Sequence, residues 1–132
     1  MKKIKGLILF FALLGLIFTS CSKDDQAPVI VNFKVNNTVT SGAAGDHAVG
    51  ETVDFEFEAT DDTELGAYQV KNESAGSTLL VSGALSGQAA TVTFSLTIDG
   101  NDYSAGDDIL LSFIVEDDRG SSSVRSYNID VQ

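Results

Sequence analysis

Between Thr52 and Thr60 the chain alternates without a break: Val53, Phe55, Phe57 and Ala59 are apolar, while Asp54, Glu56 and Glu58 are acidic. A period of two sends successive side chains to opposite faces, so the segment is a strand with one face in a core and the other in water. A helix would scatter the three acids around its circumference. Residues 90–98 repeat the pattern in milder form, with Val92, Phe94, Leu96 and Ile98 on one face and Thr91, Thr93, Ser95 and Thr97 on the other. Strands of this kind have one greasy face to bury, and a second sheet is the simplest cover.

The remaining strands follow from the same spacing. Over residues 29–35, Val29, Val31, Phe33 and Val35 share one face, and Asn32 and Lys34 the other. Residues 65–71 place Tyr68 and Val70 together, residues 78–82 form a short strand, and residues 123–131 align Tyr127, Ile129 and Val131. Residues 109–116 are apolar on both registers, Leu111, Phe113 and Val115 against Leu110 and Ile114, as expected of a central strand covered on most of its length. Turn-forming clusters separate these elements at Asp61-Asp62-Thr63-Glu64, Asp99-Gly100-Asn101-Asp102 and Asp117-Asp118-Arg119-Gly120. Residues 36–50, with Gly42, Gly45 and Gly50, are expected to form a loop crossing between sheets, with the one histidine, His47, exposed on it. The spacing predicts an all-β fold: a single antiparallel β-sandwich of about seven strands over residues 28–132.

The first twenty residues are of another kind. Met1-Lys2-Lys3-Ile4-Lys5 is positive, and residues 6–18 are almost uninterruptedly apolar for the length of a signal-peptide core rather than of a bilayer span. Leu16-Ile17-Phe18-Thr19-Ser20-Cys21 resembles the lipobox of bacterial lipoproteins, with Phe18 where an aliphatic residue is usual. That resemblance implies cleavage after residue 20, a lipid on Cys21 and a tether over residues 21–27. Cys21 is the only cysteine, so an exported chain could not use it in an internal disulfide. Ser22-Lys23-Asp24-Asp25 resembles the export signal by which a phylum of gut and gliding Gram-negative bacteria marks lipoproteins for the outer face of the outer membrane. Lys23, Asp24 and Asp25 would carry that signal. The expected location is the outer membrane, lipid-anchored and facing the cell exterior.

Ala27-Pro28-Val29-Ile30, Gly50-Glu51-Thr52-Val53, Ala59-Thr60-Asp61-Asp62, Tyr68-Gln69-Val70 and Phe113-Ile114-Val115-Glu116-Asp117-Asp118-Arg119-Gly120-Ser121 together resemble the Ig-like and cadherin-like domains of bacterial surface lipoproteins of unknown function. The Cys and Trp pair of true immunoglobulin domains is missing. The resemblance implies an Ig-like/cadherin-like sandwich and a non-enzymatic role in binding or adhesion, or as an accessory of an outer-membrane complex. The alternative is a small glycan-binding component of a nutrient-uptake system.

The formal charge of −11 excludes nucleic acid as a partner and concentrates cations near the surface. In a sandwich of this order the turn at residues 61–64 lies beside the turn at residues 116–118. Asp61, Asp62, Asp117 and Asp118 are therefore candidate ligands for Ca²⁺, which takes hard oxygen donors on loops. The competing explanation is turn chemistry, since Asp bonds its own backbone at turn starts. With one histidine and no Gly-rich strand-to-helix loop, nucleophilic triads and phosphate cradles cannot be assembled, and no enzyme is expected. There is no Trp, and Tyr103 is the one candidate platform for a glycan. The membrane through Cys21, and an unidentified protein or glycan, are the expected partners.

Overall fold

The computed structural model describes residues 26–132, so Cys21 and Lys23-Asp24-Asp25, and the expected signal segment over residues 1–20, lie outside the described residues. Nine strands follow in order: β1 (Val29–Val35), β2 (Thr38–Val39), β3 (Ala44–His47), β4 (Thr52–Thr60), β5 (Leu65–Asn72), β6 (Thr78–Ala84), β7 (Ala89–Thr97), β8 (Asp108–Asp117) and β9 (Ser122–Val131). They form two sheets, β2-β1-β4-β7 and β3-β9-β8-β5-β6. Every pairing is antiparallel except β3 with β9, which is parallel. The fold is an all-β, Ig-like sandwich.

The long alternating segments behave as their spacing predicts. Val53, Phe55, Phe57 and Ala59 of β4 are buried. The nine residues of β4 pair with all nine of β7 without a register shift. Around Phe113 the core is aromatic: its ring centroid lies 5.0 Å from those of Phe33 and Phe55 and 5.8 Å from that of Phe57. Such tilted and edge-on contacts align ring edges with ring faces, which offset stacking alone would not. At the rim the Arg125 guanidinium lies 4.4 Å from the Phe33 centroid and donates to the carbonyls of Thr40 and Gly42, lashing the β2–β3 crossing to β9.

Three expectations need correction. Residues 36–50 are not one loop. Asn36 and Asn37 both have positive φ, 48° and 63°, and close a two-residue hairpin onto β2 of the type that Asn tolerates best. β3 then adds to the edge of β9, and His47 at its end is buried rather than exposed. In β1 the strict alternation fails: Asn32 takes φ 50° and the register shifts between Val31 and Lys34. The bulge reverses the faces of the first half, so Ile30 packs on the core while Val29 is 53% exposed. β8 is central in its sheet, yet a two-layer sandwich covers only one of its faces; Leu110 is 38% exposed and Ile114 half-buried.

Strand directions sort the loops into two ends. The chain enters at Pro28, whose carbonyl accepts from the Ser123 hydroxyl, and Val29 pairs with Thr60. The β4–β5, β6–β7 and β8–β9 connections share this entry end. At the far end lie the β1–β2 hairpin, the β3–β4 and β5–β6 connections, and the long β7–β8 connection.

Candidate functional site

The two acidic turns meet as expected, at the entry end. The Asp118 amide donates to the Glu64 carbonyl at 3.0 Å, and Leu65 pairs with Asp117 across the β5–β8 ladder. Each turn is built by its first aspartate. Asp61 Oδ1 accepts from the Thr63 amide at 2.8 Å and from the Thr63 hydroxyl at 2.7 Å. Asp117 Oδ1 accepts from the amides of Arg119 and Ser121 at 2.9 and 2.8 Å. Asp117 is only 2% exposed, an unusual place for a carboxylate. Its Oδ2 and that of Asp61 are both enclosed without a hydrogen-bond partner. Asp62 and Asp118 are exposed, and Gln88 Nε2 donates to the Asp62 carbonyl.

Ca²⁺ asks for six to eight oxygens. Among the described residues no group of three or more His, Cys, Asp or Glu converges as a metal site. Asp61 and Asp117 each supply one enclosed carboxylate oxygen without a hydrogen-bond partner, fewer oxygens than that number.

Tyr103 stands at the far end in the β7–β8 connection. Its ring packs against the core, and its hydroxyl accepts from Asn72 Nδ2 at 3.1 Å. It is half-buried and works as a corner plug between the connection and β5, leaving part of the ring accessible.

Two clusters lie outside the sequence expectations. In the first, His47 Nδ1 meets Glu51 Oε1 at 2.9 Å while Nε2 faces the Tyr127 hydroxyl at 3.5 Å. Gly45 makes this possible, because a Cβ there would sit 2.2 Å from the Tyr127 hydroxyl. The His47 hydrogen bond, then the Ala48 amide, hold the Glu51 carboxyl below its ordinary range. The second is a row on the outer face of the same sheet: Asp46 pairs with Asp130, and Asp130 with Asp108. A hydrogen bond with Asp108, then burial and the Asp108 charge, push the Asp130 carboxyl up. Like charges directly opposite one another destabilise a ladder.

A raised acid is disfavoured in its ionised form by the fold, so the contribution is most favourable below the ordinary carboxylate value and is lost as pH rises through the raised one. Asp130→Asn is therefore expected to raise the melting temperature near neutral pH, with the gain vanishing in acid below the ordinary carboxylate range. Equal gains at both pH values would show that the effect is not electrostatic.

No family model matches the chain, and no curated protein sequence matches it. Among solved structures, a Niemann-Pick type C2 protein from the Japanese carpenter ant overlays with a TM-score of 0.49 at 4% identity, covering 81% of this chain and 94% of that one. A β-glucosidase from Listeria innocua overlays with a TM-score of 0.43 at 16% identity, covering 80% of this chain and 16% of that one. Both are remote likenesses, and neither carries a function across.

Proposed function

We propose that the protein is a non-enzymatic, lipid-anchored binding module of the outer-membrane surface, engaging a protein or glycan partner with the parts of the sandwich remote from its anchor. The observation that supports this is the position of the chain entry: Pro28 and Val29 sit at one end of the long axis, beside the turns at residues 61–64 and 117–121. A lipid on Cys21 leaves a tether of seven residues, at most about 25 Å long. The entry end then faces the membrane, and the far end, with the exposed residues 74–77 and 99–102, faces outward.

A protease site inserted in the β5–β6 turn, between Ser74 and Ser77, tests this on intact cells expressing the full chain. Cleavage of the surface protein, with the entry end cut only after lysis, is expected. Protection of the β5–β6 site until lysis would sink the outward-facing module.

A second reading, favoured by the two orphaned Oδ2 atoms, is that Asp61 and Asp117 hold Ca²⁺ at the membrane-facing end. Calcium at about 100 times its dissociation constant adds about 2.7 kcal/mol, roughly ten degrees in melting temperature for a domain of this size. Asp117→Asn keeps an oxygen for the Arg119 and Ser121 amides and removes the charge, so the chelator-sensitive shift should disappear while the metal-free melt holds. An identical melt of the parent protein in calcium and in chelator, at fixed ionic strength, would return both aspartates to turn chemistry alone.

A further inference from the structure

Twenty-five consecutive residues, 74–98, carry no charged side chain in a chain whose composition is 20% charged. The fold gathers this segment on one side of the molecule: β6 is the last strand of one sheet and β7 the last strand of the other. That side is therefore an uncharged flank made of two sheet edges. Leu79 and Leu80 on it are 51% and 37% exposed, and Phe94 and Leu96 are only half-buried.

A free sheet edge is a row of unpaired N–H and C=O groups, and proteins blunt such rows by shortness, charge, proline or bulges. Among the described residues, three of the four sheet edges are blunted. β2 is two residues long; β3 is four and carries Asp46. β6 is broken by a register shift opposite Val70 and Lys71. β7 has none of these devices: it is nine residues long, in unbroken register with β4, and holds no charge, proline or glycine.

We propose that β7 is a self-association edge, pairing antiparallel with β7 of a second copy about a twofold axis at Thr93. The sequence of the strand is self-complementary in that register. Thr93 faces Thr93 of the second copy, Thr91 faces Ser95 and Val92 faces Phe94, giving hydroxyl pairs on the outer face and apolar pairs on the inner. Charge favours this face for the approach of a second copy: two molecules of charge −11 repel, and here they meet with no ionised group on either pairing strand, the acids Asp54, Glu56 and Glu58 standing one strand back on β4. A twofold contact uses up both edges, so assembly stops at the dimer. The proposal rests on the described domain alone and stands whether or not Cys21 carries lipid.

Cysteine trapping tests it on the full chain expressed in cells, with the parent chain, whose only cysteine is Cys21, as control. Directly opposed residues bring their Cβ atoms to about 4.5–5.5 Å, within a small adjustment of disulfide geometry, whereas Thr91 and Thr91 of the second copy, four residues out of register, stand about 14 Å apart. Under mild oxidation Thr93→Cys should convert most of the chain to a reducible dimer, Thr91→Cys alone should not, and Thr91→Cys with Ser95→Cys should. All three positions are exposed, so the fold should survive the changes. No dimer at Thr93→Cys, or equal yields from Thr93→Cys and Thr91→Cys alone, would overturn the proposal, the first by absence of the contact and the second by showing unregistered collision.

Discussion

Truncating Phe113 to alanine is expected to cost the domain about 3–5 kcal/mol, the usual range for deleting a buried aromatic ring. The ring is fully buried at the centre of β8 and touches the rings of Phe33, Phe55, Phe57 and Phe94, so its loss leaves a void lined by stiff neighbours from the opposite sheet. Aromatic rings cannot collapse into such a space as Met or Leu side chains do, which places the cost toward the upper part of that range. A domain of this size holds only about 5–15 kcal/mol in total, so the variant should be partly unfolded at moderate temperature. Equilibrium urea unfolding measures the difference. Phe113→Leu should lose less than half as much, and a loss below about 1 kcal/mol for the alanine variant would mean that the sheets close over the gap.

The second large effect is expected at Gly66, where β5 slips by one residue against β8. A Cβ built there would lie 2.7 Å from the Asp117 carbonyl oxygen, 3.0 Å from its carbon and 3.2 Å from the Asp118 nitrogen. All three are backbone atoms and cannot rotate aside. Gly66→Ala must push β5 from β8 at the point where the two acidic turns join, at a cost of about 1–3 kcal/mol or more. Gly100→Ala, whose Cβ would meet only a Val49 methyl at 3.1 Å, serves as the contrast and should cost much less. Limited proteolysis at the β8–β9 turn adds a local readout: the Gly66 variant should be cut there faster than its global stability accounts for. Equal melting temperatures for the two alanine variants would show that the β5–β8 junction yields readily.

The two effects differ in what made them visible. Phe113 is legible in the sequence as an inward position of an apolar strand, because strand periodicity is local. Gly66 is not, since its importance comes from a carbonyl fifty-one residues away. The same division runs through the candidate site. The opposition of Asp108 and Asp130 follows from the β8–β9 turn, since a hairpin pairs residues at equal distances from its centre. The addition of Asp46 to that row requires the parallel pairing of β3 with β9, and nothing within residues 44–47 announces it. Asn36-Asn37 did carry a local signal, a pair of residues tolerant of positive φ between apolar stretches, and it marks the β1–β2 hairpin.

By itself, the sequence determined the strand count of the long elements, their inward faces, the all-β sandwich and the meeting of the two acidic turns. Each of these depends on the period of two and on turn chemistry, which act over a few residues. Only the tertiary structure decided that Asn32 reverses the first half of β1, that His47 is buried against Tyr127, that the second carboxylate oxygens of Asp61 and Asp117 are enclosed without partners, and that the uncharged residues 74–98 make one flank. These depend on which strands become neighbours across the two sheets. That choice is made by the packing of all the faces at once, and no single stretch of chain encodes it.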